Sequence, residues 1–213
     1  SNIRILDKWI AHCREWLPEP FEMVCAENDD VYPLPFAKIQ DGSTTLIERM
    51  HLKYLGGVYI DVIPLDGMTS NPLKQRLHLM RYFYYKKVIY FLCRDPYRHG
   101  HGPSSWIPLL CRRFYTLSGV QHTMQKLQKA YDYDTSEFVI DHDFGKRGIM
   151  LRSVYGQPTS IEFEGKNVMG VQQSNEYLTH LYGDYMTIPS GPKQKQHNFH
   201  LLDLETPYRE NRE

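Results

Sequence analysis

Gly56–Gly67, GGVYIDVIPLDG, is the stretch on which the reading of this chain turns. Val58, Tyr59 and Ile60 run apolar into Asp61, and Val62-Ile63-Pro64-Leu65 carry on to a second acid, Asp66. Side chains alternate along a strand, so Asp61 shares a face with Tyr59 and Ile63, while Val58, Ile60 and Val62 point the other way. A buried, unpaired carboxylate is strongly unfavourable. A hydrogen-bond network, a basic partner or a metal ion would each compensate for it. From the residues alone, two readings of Asp61 stay open. It is a strand aspartate bonding backbone N–H groups, or one of several carboxylates gathered around a divalent cation. Asp66, followed by Gly67, has the signature of a turn first and of a ligand second.

Outward from this stretch, the spacing of Trp9, Ile10, Cys13 and Trp16 predicts a helix that Pro18 and Pro20 end. FEMVCAEN from Phe21, the segment around Phe36–Ile39 and Thr44–Ile47 read as strands separated by polar and Pro-containing turns. From Pro72 to about Leu92 the period becomes helical, and a Gly/Pro/Ser/His loop from Pro96 to Ser105 interrupts it. Helices fit Trp106–Leu117 and Val120–Tyr131. Shorter elements follow at Phe138–Ile140, Ile149–Leu151, TSIEFEG and around Tyr177–Leu181, with a polar tail after Pro189. Strands first and helices later predict an α+β fold.

The chain of 213 residues suits one domain with a sizeable core. Lys+Arg and Asp+Glu both number 25, which removes the basic excess expected of a nucleic-acid binder. The four cysteines show no CxxC and read as reduced thiols of a cytosolic-type compartment. No signal peptide or apolar run of membrane-spanning length is visible. Cys93, His99, His101 and Cys111 match no standard zinc spacing. RYFYYKKVIYFL, Arg81–Leu92, fits a core helix with a solvated basic face, or a peripheral membrane contact through residues 81–92.

Four segments in order carry a family resemblance: YPLPFAKIQDGSTTLIE (Tyr32–Glu48), GGVYIDVIPLDG, IEFEG (Ile161–Gly165) and YLTHLYGDYMTIP (Tyr177–Pro189), followed by His197. Together they resemble the LicD family, which includes bacterial phosphocholine transferases and fukutin-related ribitol-phosphate transferases, over roughly residues 27–197. The resemblance implies a nucleotidyltransferase-like mixed sheet with a mostly helical middle and C-terminal part. It implies metal-dependent transfer of a phospho-alcohol, such as phosphocholine, from a CDP-linked donor to a sugar hydroxyl of a cell-surface glycan or glycolipid. It further implies Mg²⁺ or Mn²⁺ as cofactor, with work in the cytoplasm or at the inner face of the membrane. By the same resemblance Asp61 is the strand carboxylate that completes the metal site, and Asp61 or His197 is the base. Lys38 contacts the donor phosphate, while Glu164, Tyr182, Asp184 and Tyr185 line or support the site. Such chemistry rests on positioning and charge neutralisation.

One segment of the family pattern, GxIPWDDDxDI, supplies its main metal-binding carboxylates upstream of the region matched here and is absent from this sequence. The expectation is a single LicD-like domain over 1–213, its sheet incomplete on the N-terminal side. The alternative is a non-catalytic nucleotide- or glycan-binding member of the same fold.

Overall fold

The computed structural model describes residues 2–48, 54–188, 190–191 and 199–210. In chain order the helices are α1 (Asn2–Trp16), α2 (Pro72–Cys93), α3 (Trp106–Phe114), α4 (Leu117–Gln128), α5 (Arg152–Tyr155) and α6 (Ser174–Tyr182). The first five strands are β1 (Phe21–Val24), β2 (Ala37–Asp41), β3 (Thr45–Ile47), β4 (Tyr59–Val62) and β5 (Asp66–Met68). The others are β6 (Phe138–Ile140), β7 (Ile149–Leu151), β8 (Thr159–Phe163), β9 (Lys166–Gly170) and β10 (Leu201–Asp203). The class is mixed α and β, built on small antiparallel sheets. No helix among the described residues is long and apolar enough to cross a membrane.

Contacts divide the chain into two compact units. One comprises Ile3–Pro64, Met80–Gln128 and the C-terminal segment that contains β10. Its principal sheet has the order β1-β2-β4, so β2 is central and β4 lies at an edge. The register sets Lys38 of β2 opposite Asp61 of β4 and Val24 of β1 opposite Lys38. Cys13, Met23, Cys25 and Ala37 form the core against this sheet. A second core gathers Tyr82, Val88 and Ile89 of α2 with Val120, Met124 and Leu127 of α4. Tyr82, Val88 and Ile89 commit one face of 81–92 to that core, while Phe83 and Tyr84 remain exposed. β3 pairs with β10, a strand contained in the tail that reads as polar.

The edge position of β4 changes the meaning of the acidic stretch. Ile60 is 64% exposed and Asp61 also reaches solvent, so this strand is not buried on both faces. Gly57 at its start has no substitute: a Cβ there would lie 1.9 Å from the Asp41 carbonyl oxygen. That close approach lets Asp41 N donate to Val58 O at 2.8 Å, and it lets Val58 N donate to Thr44 Oγ1 at 2.8 Å.

The other unit comprises Leu65–Leu79 and, from Lys129 onward, the elements β6 to α6. Its sheet has the order β5-β6-β7, with Asp66 paired to Ile140 and Met68 to Phe138. Met68, Leu79 and Ile140 form one core and Met150, Val154 and Leu181 another. Here the turn expectation at Asp66-Gly67 fails: both residues belong to a buried strand. A Gly67 Cβ would come within 2.5 Å of the Asp132 carbonyl oxygen, so this glycine serves backbone packing instead of a turn. β8 and β9 make a hairpin whose turn, Glu164-Gly165, has φ of 50° and 74°, the positive values that short hairpin loops require.

Candidate functional site

The carboxylate of the apolar strand has a basic partner. Lys38 is 3% exposed on the central strand. Its Nζ lies 3.9 Å from Asp61 Oδ1 across the strand pair and 3.4 Å from Glu48 Oε2, to which it donates a hydrogen bond. The ammonium also stands 3.1 Å from the centroid of the Tyr59 ring, a cation–π geometry. Burial pushes the Lys38 pKa below its usual value, and the Glu48 and Asp61 carboxylates counter part of that shift. The two carboxylates are 42% and 40% exposed, so the cation is fixed in protein while its counter-ions remain in contact with water.

A cavity of about 40 Å³ opens beside this group, walled by Lys38, Glu48, Tyr54, Tyr59 and the Gly56-Gly57 backbone among others. That volume accommodates a water or one phosphoryl oxygen, far less than a nucleotide. The cavity wall is held by Gln40, whose side-chain oxygen accepts from Tyr54 Oη and from Gly57 N, both at 3.3 Å. An adjoining cavity of about 170 Å³ shares Pro33 and Tyr54 and continues along Leu92, Cys93 and Leu117. A third, about 500 Å³, runs along β1 between Arg14 and Arg209. Of its three acids, Glu22 is engaged by Gln40, Tyr208 and Arg209.

Asp61 was assigned to a divalent cation by resemblance. Among the described residues no group of three or more His, Cys, Asp or Glu side chains converges to hold a metal ion. Glu48 and Asp61 instead meet at Lys38 Nζ, whose positive charge takes the place a cation would have between them. Among the described residues, Glu48 and Asp61 are thus engaged with an ammonium group.

The remaining expected residues fall elsewhere. His197 lies outside the described residues. Glu164, Tyr182, Asp184 and Tyr185 all belong to the unit that carries β5-β6-β7. Glu164 sits exposed in the β8–β9 turn. Tyr182 ends α6, edge-on to Phe144 at 6.1 Å between centroids. Asp184 accepts from Thr187 Oγ1 at 2.6 Å, and Tyr185 Oη donates to Asn175 Oδ1 at 2.9 Å. These bonds fold the YGDYMT segment into a turn braced against α6.

One constellation escaped the sequence reading. Asp66, His78 and His142 are all buried, at 4%, 6% and 2% exposure. His142 Nδ1 lies 3.4 Å from Asp66 Oδ2, and its Nε2 lies 2.9 Å from His78 Nε2. One imidazole must donate and the other accept across that second contact. Burial raises the pKa of Asp66, opposed by His142 and by the Lys129 charge. The residues come from β5, α2 and the segment after β6. His142 sits between two aspartates, and only Val139-Ile140 and Phe144 beyond them hint at its burial.

No protein-family model matches the chain, and no solved structure matches it. Among curated proteins, the lipopolysaccharide cholinephosphotransferase LicD of Haemophilus influenzae is 24% identical over 201 residues, covering 92% of this chain and 73% of that protein. The similarity therefore runs through both units.

Proposed function

We propose that this chain is a LicD-type phosphotransferase with a nucleotidyltransferase-like core. It would move a phospho-alcohol, phosphocholine in the first instance, from a CDP-linked donor to a sugar hydroxyl of a cell-surface glycan or glycolipid. The observation that carries the reading is the similarity to a cholinephosphotransferase over 92% of the chain. The Lys38 site supports it, because a fixed, partly desolvated ammonium beside a small cavity suits an anionic phosphoryl oxygen.

In this mechanism Lys38 contacts the phosphate that bears the alcohol. The acceptor hydroxyl attacks that phosphorus, a new P–O bond forms, and the bond to the bridging oxygen breaks to release CMP. Asp61, half-exposed at the sheet edge, takes the hydroxyl proton. His197 is the other residue proposed for that role. Glu164, Tyr182, Asp184 and Tyr185 are proposed to bind substrate.

The test is CMP release from CDP-choline and CDP-ribitol in the presence of a glycan acceptor, with Mg²⁺, with Mn²⁺ and with chelator. Turnover that falls by about a hundredfold in Asp61→Asn is expected of a lost general base. Full activity in Asp61→Asn would remove Asp61 from the chemistry. Calorimetric binding of CDP-choline with no CMP release from any donor would favour the non-catalytic binding domain.

A further inference from the structure

We propose that α3 is a docking surface for an anionic lipid bilayer. A surface helix ordinarily turns its apolar stripe to the core and its polar face to water. α3 does the reverse. Its inward side is Pro108, fully buried, and Cys111, which packs against the Tyr82–Met124 core. Trp106, Leu110 and Phe114, spaced four apart and therefore in one row, are 65%, 60% and 71% exposed. Ile107 flanks them and is also exposed. The row continues onto α2, because Tyr84, itself exposed, bonds the Oη of Tyr115 at 2.7 Å immediately after Phe114.

Charge identifies the occupant. The chain as a whole is neutral, yet α3 carries two arginines and no acid, and the exposed Lys87 lies one helical turn from Tyr84 on α2. Arg112 and Arg113 stand on α3 itself and are exposed. The Arg112 guanidinium donates to the carbonyl oxygens of Arg94, at 2.7 Å, and Leu92, at 3.4 Å, which locks the helix with its apolar row outward. An apolar protein groove or a second copy would leave this local cationic excess without a counter-charge. A bilayer containing anionic phospholipid supplies both an apolar layer for Trp106, Leu110 and Phe114 and phosphates for the arginines. α3 spans only about 13 Å at 1.5 Å per residue, so it lies on the surface and does not cross. Binding to vesicles requires neither donor nor acceptor, so docking and transferase activity stand or fall separately.

The experiment uses the full chain with Trp9→Phe and Trp16→Phe, which leaves Trp106 as the single tryptophan. Binding is measured by co-sedimentation with vesicles of phosphatidylglycerol and phosphatidylcholine, and with phosphatidylcholine alone. Expected are binding to the anionic vesicles, weakening with added salt, and a blue shift of Trp106 emission. Leu110→Glu with Phe114→Glu should lower the partition at least tenfold while the circular-dichroism melt stays unchanged, since both side chains are exposed. Arg113→Gln should lower it about fivefold, as expected for one basic residue at an anionic surface. No co-sedimentation at low salt, binding without a Trp106 shift, or equal binding by the double variant would each overturn the proposal. So would a concentration-dependent dimer that Leu110→Glu abolishes in a protein that ignores vesicles, because the occupant would then be a second copy.

Discussion

The pairing of Lys38 with Asp61 makes a quantitative prediction. At 3.9 Å, two unit charges interact by about 4 kcal/mol at an effective dielectric constant of 20. Asp61 is 40% exposed, and solvent screening reduces the expected coupling to about 0.5–1 kcal/mol. A double-mutant cycle with Lys38→Met and Asp61→Asn, read by urea denaturation, isolates this quantity. Asp61→Asn alone should destabilise by about 0.5–1 kcal/mol, because Glu48 at 3.4 Å still faces the ammonium. Lys38→Met should cost little more. It loses the cation–π contact with Tyr59, about 2 kcal/mol for a desolvated pair, but removes a buried charge whose desolvation was unfavourable. The coupling should shrink in high salt, since one partner is wet. The pH profile gives a second reading. Lys38 is depressed below 10.5, so the folded state binds its proton less tightly than the unfolded chain. Stability then rises as pH climbs from the folded value to 10.5, and in Asp61→Asn that rise should begin at lower pH. A coupling below about 0.3 kcal/mol, the usual error of additivity, would refute the assignment of Lys38 as the partner of Asp61.

Three further outcomes follow from other parts of the molecule. Burial lifts Asp66 above 3.8, so the folded state binds that proton more tightly and stability falls as pH rises from 3.8 through the folded value. Asp66→Asn should flatten this decline, and a difference between wild type and variant that stays constant from about pH 4 to 8 would contradict it. Gly57→Ala places a Cβ 1.9 Å from the Asp41 oxygen and should cost at least about 2 kcal/mol in urea midpoint stability. Cys25 is buried with its thiol pushed up to about 12, and Cys93 is raised to about 11. Both should resist an aromatic disulfide reagent in the native protein and react once urea unfolds it; rapid native labelling of Cys25 would show that its segment opens.

Local signals in the sequence located most elements. The alternation around Tyr59–Val62 found β4, and the helical spacing after Pro72 found α2. What periodicity cannot report is which strand a given strand lies beside. β4 reads as an apolar strand with an acid at its centre, and the sequence does not say that it sits at an edge with Ile60 exposed. Asp66-Gly67 carries the composition of a turn, and the pairing of β5 with β6, more than seventy residues away, overrides it. β10 pairs with β3 from beyond residue 200. The same non-locality hid the His78–His142 contact, 64 residues apart, whereas Lys38 could be singled out through the family-like segment that contains it.

The Lys38 site divides mobility from fixity in a way that bears on recognition of an anion. The ammonium is carried by the central strand, buried, and held over the Tyr59 ring. Its two carboxylates sit where water reaches them, Asp61 on the edge strand and Glu48 beyond the end of β3. Turning a half-exposed carboxylate into solvent costs little, because exposed ion pairs contribute at most about 1 kcal/mol. Withdrawing the lysine would require repacking the sheet. An incoming phosphate would therefore displace carboxylates and leave the cation in place, exchanging one negative partner for another at Nζ. A site organised in this way needs no prior charge separation in its resting state. The geometry gives the acid in the apolar strand one clear use: it balances a buried lysine from a position that water still reaches.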